Sequence, residues 1–310
     1  MVENGMPGDL SHPTPFAERT AESYGLRFFV RLIPSESMLF SLNGSINTAN
    51  QYFYSPRPYV YVPIDAEHRT NGADFLIDAS KIIGIFTPEI GYNFHNETYN
   101  MQNNLNPDIS IDNKRRNIHS IWIEIPISFS IFKQLDIKST ASIRLDAIDG
   151  GKPSNSPSIG GSISYNHSDF DIGVSAGYNE AIRLPSFQDL YWLKDAYSEG
   201  NSELSPEQSY RRNITAFSNL NISFLRTTAS MTFFSRTVDS VIIWNKGFDG
   251  IYRPINISRE ESHGREDYLE ISLCRYLTFS WTNTLLEAIH HQSGNYLDGK
   301  WLPFRPEYIQ

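Results

Sequence analysis

A single cysteine, Cys274, stands among 310 residues, so neither an internal disulfide nor a multi-cysteine metal cluster can form. No apolar run approaches the ~20 residues of a membrane-spanning helix, which excludes a helical membrane protein. Basic charge is scarce: 26 Lys and Arg stand against 35 Asp and Glu, for a net charge of -9. With no extended Lys/Arg run, that balance argues against nucleic acid as a partner. The first residues, Met1 to Asp9, lack a basic start and an apolar core, so they do not read as a signal peptide. Hydrophobic residues nevertheless make up 40% of the chain and aromatics 13%, and they must be arranged by some rule other than long runs.

Alternation is that rule. From Leu135 to Ala147 every odd position is apolar or small and every even position is polar or charged. Side chains of a strand point to opposite faces in turn, so such a segment has one greasy and one wet face. Phe170 to Asn179, Ile159 to Tyr165, Ile121 to Phe129, Leu269 to Leu273 and Leu277 to Thr282 repeat the pattern. Several patterned segments, at 37–54, 135–149, 169–183, 225–244 and 277–291, exceed the ~5–6 residues usual in soluble sheets. They meet the ~9–11 residues that a tilted membrane-spanning strand requires.

The connections sort by length. Short turns fall near Pro34-Ser35-Glu36, Ser80-Lys81, Phe132-Lys133-Gln134, His167-Ser168, Ser223-Phe224 and Arg275-Tyr276. Between them lie polar stretches at 55–72, 99–116, 148–157, 184–208, 245–252 and 291–301. Outer-membrane barrels show this asymmetry of tight turns and longer outer loops. The reading is an all-β chain of about twelve antiparallel strands, with a thirteenth opening at Pro303-Phe304-Arg305-Pro306 and no helix interrupting the series.

One segment carries more than periodicity. Arg183-Leu184-Pro185-Ser186-Phe187-Gln188-Asp189-Leu190-Tyr191-Trp192 is followed by Gly200-Asn201-Ser202-Glu203-Leu204-Ser205-Pro206-Glu207. This resembles the barrel of TonB-dependent outer-membrane receptors of the cobalamin and siderophore type. There an Arg-x-Pro-Ser-Phe-x-Asp-Leu-Tyr element precedes Gly-Asn-Pro-x-Leu-x-Pro-Glu at an extracellular loop; here Ser202 replaces the usual proline. Gly5-Met6-Pro7-Gly8, Arg144-Leu145-Asp146, Tyr252-Arg253-Pro254 and Leu302 to Pro306 are weaker echoes in the family's order.

The resemblance implies a barrel of about 22 strands, of which 1–310 would be an interior part lacking plug domain, signal peptide and closing strands. It implies binding of a scarce nutrient, a ferric siderophore or a cobalamin, imported across the outer membrane with energy from the TonB complex. Partners would be outer-membrane lipid, the plug domain, the TonB complex and the small nutrient ligand. No enzymatic activity and no cofactor are implied. Two rivals are a passive porin or adhesin-like barrel and a soluble all-β enzyme or carbohydrate-binding protein.

Individual residues have plainer readings. The motif residues Arg183, Pro185, Ser186, Phe187, Asp189, Leu190, Tyr191, Gly200, Asn201, Leu204, Pro206 and Glu207 shape the outer loop. Arg183 and Asp189 form an ionised strand-to-loop contact, Gly200-Asn201 supplies a turn, and Pro206 sets entry into the next strand. Trp122, Phe129, Tyr165, Tyr178, Phe233, Trp244 and Trp281 read as interfacial girdle or wall packing. His263 and His290-His291, with Glu260, Glu261, Glu266 and Asp267, do not read as a metal site, since adjacent strand histidines diverge, and the carboxylates read as a solvated or plug-facing wall. Tyr59, Tyr61, Tyr191, Trp192 and Trp244, in or beside the long connections, are the candidate ligand contacts.

Overall fold

The computed structural model describes residues 2–5, 18–56, 63–194, 198–274, 276–291, 298–300 and 308–309. Twelve long strands run in sequence order: β2 (Glu18–Ser35), β3 (Met38–Ser55), β4 (Ile64–Lys81), β5 (Glu89–Asn103), β6 (Ile111–Ile131) and β7 (Leu135–Ile148), then β8 (Ser154–Asn166), β9 (Phe170–Arg183), β10 (Glu207–Ile222), β11 (Leu225–Lys246), β12 (Tyr252–Leu273) and β13 (Leu277–His291). Short pieces flank them, β1 (Val2–Gly5) and β14 (Tyr308–Ile309). All fourteen form one sheet in which each strand pairs with its sequence neighbours, antiparallel wherever a register is given.

The alternation decides which way each face looks. Ile143 on β7, Ile163 on β8, Ile172 on β9, Ile214 on β10 and Phe279 on β13 share one face, and they are 44 to 55% exposed. No second protein layer covers that face among the described residues. The opposite face carries Thr140, Ser142 and Arg144 on β7, and it is polar. This is the arrangement of a membrane wall, greasy outward and polar inward, rather than of a sandwich that seals its apolar sides together.

The wall curls. Neighbouring residues Gln188 and Asp189 hydrogen-bond to Gln51 on β3 and to Trp244 on β11, at 3.3 Å and 2.9 Å. In a flat sheet those two strands, eight places apart, would lie about 38 Å from each other at ~4.8 Å per strand. Two adjacent side chains cannot span that distance, so the sheet bends into a trough with its polar face inside.

The two rims differ as the chain pattern predicts, with two shifts. Tight connections occupy one rim, at 36–37, 132–134, 167–169, 223–224 and 274–276. The connection at 82–88 belongs to that rim but is longer than expected, because Ile83 and Phe86 close a small extra hairpin that bridges to Ile127 of β6. On the other rim β4 begins at Ile64 and β5 continues to Asn103, so strand occupies much of what reads as loop in 55–72 and 99–116. Above the apolar band apolar residues are scattered, so alternation disappears while pairing continues.

Two further readings need correction. A helix does interrupt the series: α1 (Phe187–Tyr191) lies between β9 and β10, and a 3-10 turn spans Pro107–Ile109. Ser186 caps α1, its hydroxyl accepting from the Asp189 N–H at 3.0 Å while the Asp189 carboxylate accepts from the Ser186 N–H at 3.0 Å. This capping box is written in Ser-x-x-Asp, but too few apolar residues follow to show helical spacing. The acidic stretch of β12 is not one wall either. Asp267, with Arg265 and Asn283, lies on the outward face, where the Arg265 guanidinium donates to Asp267 at 3.0 Å.

Candidate functional site

The described parts of the 184–206 connection, 184–194 and 198–206, do not project away from the trough. They fold across the inner face and form a roof held at both sides. At its root Arg183, the last residue of β9, donates twice to Glu207, the first of β10, at 2.7 Å and 2.8 Å. Glu207 also accepts the Ile242 N–H at 2.8 Å. That N–H needs a partner because β11 kinks at Ser240, which has φ 56°, just beyond the last β10–β11 pair, Gln208 with Asp239.

Glu207 is buried above the apolar band. Burial works to raise its pKa, yet the Arg183 guanidinium and the Ile242 N–H outweigh it, and the carboxyl lies below its usual value. Arg183 therefore pairs with Glu207 and not with Asp189, which corrects the expected strand-to-loop contact. Asp189 spends its oxygens on the α1 cap and on the Trp244 indole N–H at 2.9 Å.

Against the β3–β6 side of the trough, the roof packs by aromatic contact. Phe187 stacks on Tyr99 with ring centroids 5.6 Å apart, and both are buried with Ala66 and Met101. Arg116 of β6 lies over the Phe187 ring at 4.8 Å, donates to the Pro185 carbonyl at 2.8 Å, and pairs with Glu97 at 2.6 Å. Lys114 sits over Tyr191 at 4.9 Å. Trp192 stacks on the buried His68 at 5.0 Å and meets Phe53 edge-on at 5.6 Å. His68 Nδ1 shares a 2.7 Å hydrogen bond with the Tyr99 hydroxyl.

On the β12 side, Glu199 donates its N–H to the Tyr252 carbonyl at 3.0 Å and accepts from Arg253 at 2.8 Å. Asn201 donates to the Pro254 carbonyl at 3.1 Å. Asn256 reaches the Ser205 backbone, donating to its carbonyl at 3.0 Å and accepting its N–H at 2.9 Å. Gly200 is needed here for space rather than for a left-handed turn. A Cβ at that position would come within 2.5 Å of the Trp192 nitrogen and 2.9 Å of the Tyr191 nitrogen.

The motif residues are thus gathered around one loop. Leu190 closes the first turn of α1 onto the Ser186 carbonyl at 3.1 Å, Leu204 is half-buried in the return path, and Pro206 precedes β10. Of the ring residues marked as ligand contacts, Tyr191, Trp192 and Trp244 all belong to this roof or its supports. Tyr59 and Tyr61 lie outside the described residues, as do Leu302 to Pro306 and Met6 to Gly8. Trp122, read with the outward rings, faces inward and lies over Gly91, where a Cβ would meet its ring at 2.0 Å.

Sequence reading missed the roof's inner-face partners, Phe53, His68, Tyr99, Glu97 and Arg116. The one signal pointing to any of them is Lys114-Arg115-Arg116, a basic cluster in an acidic chain. Nothing in the arrangement resembles a catalytic constellation: the histidine is buried against rings, and the carboxylates are committed to caps and arginines. The arrangement puts aromatic rings and cations at the mouth of a trough.

Comparison with known proteins agrees with this geometry. The model of the family "TonB dependent receptor-like, beta-barrel" matches residues 13–309. No curated protein matches this chain in sequence. Among solved structures, the copper transporter OprC superposes with a TM-score of 0.66 at 12% identity, covering 94% of this chain and 49% of OprC. The siderophore receptor PirA from Acinetobacter baumannii gives 0.60 at 13% identity over 95% of this chain and 47% of PirA. The Serratia marcescens hemophore receptor HasR gives 0.64 at 12% identity over 87% of this chain and 49% of HasR. This chain therefore spans about half the length of each of these three. From the matched family model, the outward apolar wall and the roofed trough, the chain belongs to the TonB-dependent receptor β-barrel family.

Proposed function

We propose that the polypeptide carrying this chain is an outer-membrane receptor that imports a scarce nutrient of the ferric siderophore or cobalamin class. In this reading residues 1–310 form part of the barrel wall, a plug domain fills the lumen, and TonB supplies the energy. The observation that carries it is the pairing of a bare apolar outer face with a polar inner face roofed by the Arg183–Glu207 loop. Such a wall is stable only with hydrocarbon on one side and water or protein on the other. Copper, siderophore and hemophore proteins among the structural neighbours support a nutrient-uptake role without selecting the solute.

Tyr191 and Trp192 on the roof and Trp244 of β11 beneath it, with Tyr59 and Tyr61, are the proposed ligand contacts. Large rings with one polar atom suit that task, because they offer wide contact area at low entropic cost. No bond is made or broken in the solute, so no catalytic residue is assigned.

The test is uptake by cells with and without the gene, supplied with labelled ferric siderophores or cobalamin. Gene-dependent uptake that stops on addition of a protonophore is the expected result. Uptake indifferent to the protonophore would instead indicate a passive pore. Recovery of the polypeptide in the soluble fraction would overturn the membrane assignment altogether.

A further inference from the structure

Two arginines face each other on the inner wall below the roof. Arg211 of β10 is the register partner of Arg236 of β11. Both belong to the inward set, since Arg212, next in sequence, lies on the outer face over Tyr178 at 5.7 Å. Arg211 and Arg236 are exposed, and among the described residues neither makes an ion pair. Arg236 makes one long hydrogen bond to the Ser209 hydroxyl, 3.4 Å.

Like charges directly opposite on neighbouring strands destabilise a sheet unless something compensates them. The acids nearby are already committed. Glu207 is close enough to feel Arg236, but its oxygens hold Arg183 and the Ile242 N–H. Asp239 faces outward and accepts from Arg259 at 2.7 Å. Glu260, on the inward face of β12, is buried, and Glu266 lies two rows below the Ser262 partner of Arg236.

The surroundings suit an anionic solute. Asn179 pairs with Arg211 across β9 and β10, and Asn213 occupies the next inward position down. Phe234 lies flat along the wall beneath Arg236, its ring within 2.7 Å of where a Gly264 Cβ would stand. Two arginines, two asparagines and a phenylalanine thus occupy adjoining inward positions on one stretch of wall. Guanidinium groups recognise carboxylate and phosphate oxygens by paired hydrogen bonds.

We propose that Arg211 and Arg236 together bind an oxyanion group, carboxylate or phosphate, of the imported solute. The proposal deepens the import reading and rests on it, since it takes this trough for the solute's path. A carboxylate of the plug domain is the competing source of negative charge.

The experiment uses outer membranes from cells expressing the full gene product, with labelled citrate and inorganic phosphate as probes and glucose as the neutral control. Citrate or phosphate should bind, and glucose should not. Binding should weaken with added salt because the pair is exposed. Arg211→Gln and Arg236→Gln should each weaken it by about tenfold or more, as loss of a charged hydrogen-bond donor does. Arg226→Gln, near the tight-turn rim, should leave it unchanged.

If either Gln variant does not reach the membrane, Arg211→Lys and Arg236→Lys carry the test. They keep the charge, lose the fork, and should bind about threefold more weakly. Failure of both anions to bind, as expected if a plug carboxylate already occupies the pair, overturns the proposal. So does equal affinity in the substituted proteins, or an equal loss in Arg226→Gln. Binding that persists where uptake ignores a protonophore sinks the import reading and leaves the anion site standing.

Discussion

The tight-turn half of the wall and its long-connection half obey different physics. In the tight-turn half, Ile143, Ile163, Ile172 and Phe279 point outward in strict alternation, and no other protein layer covers them among the described residues. Their placement is local, set by side-chain parity and by a nonpolar medium outside. In the other half the contacts join strands far apart in the sheet, as when α1 ties β3 to β11. Stability in the first half comes from the surroundings; in the second it comes from a few long-range bonds that can be cut one at a time.

The contrast is broken most severely from the outside. Ile143→Arg should cost about 2–4 kcal/mol, as a charge facing mid-membrane lipid does, whereas Thr140→Arg on the inner face should cost about 1 kcal/mol or less. The folded, heat-modifiable fraction in outer membranes measures both, and equal losses would erase the inside-outside distinction. Next comes the roof. Gly200→Ala forces a Cβ against the backbone of Tyr191 and Trp192, at about 1–3 kcal/mol of overpacking, and should open the loop to protease while the barrel remains folded. Protection equal to the parent protein would show that the roof yields without opening.

Smaller effects sharpen the picture. Asp189→Ala removes half of the capping box and the Trp244 acceptor, and a cap is worth about 1 kcal/mol. Faster cleavage within 184–206 and a changed Trp244 fluorescence environment are expected together. The least effect is that of acid. The Glu207 carboxyl lies below its ordinary value in the folded state, so its contribution is complete above that ordinary value, near 4.5, and is lost as pH falls through the folded one. Roof protection should hold from neutral pH to about 5 and decline below it, and Glu207→Gln should abolish that pH dependence.

The wall was legible before any coordinates, and the reason lies in the residues. Leu135 to Ala147 can satisfy its parity in only one way, and Phe132-Lys133-Gln134 can do little but turn. The β4 start was not legible, because only Ile64 and Ala66 are apolar between Ile64 and Asn71, too few for alternation to report. The roof was half legible. Arg183-Leu184-Pro185-Ser186-Phe187 marked an unusual loop, but its direction depends on Tyr99 and Arg116, residues about ninety and seventy positions earlier. Asp189 illustrates the difference: its spacing from Ser186 announces a cap, while nothing local announces the indole of Trp244.

Within the alternating segments, strand, turn and facing were determined by the sequence alone, since each follows from neighbours two residues apart and from the solvent outside. Only the tertiary structure decided that Arg183 takes Glu207, that Asp267 looks outward, that Arg211 meets Arg236, and that the 184–206 loop bends in. Those outcomes depend on strand register and on the curl of a fourteen-stranded sheet. A sheet's curl is a sum over many pairings, and no single stretch of residues carries it.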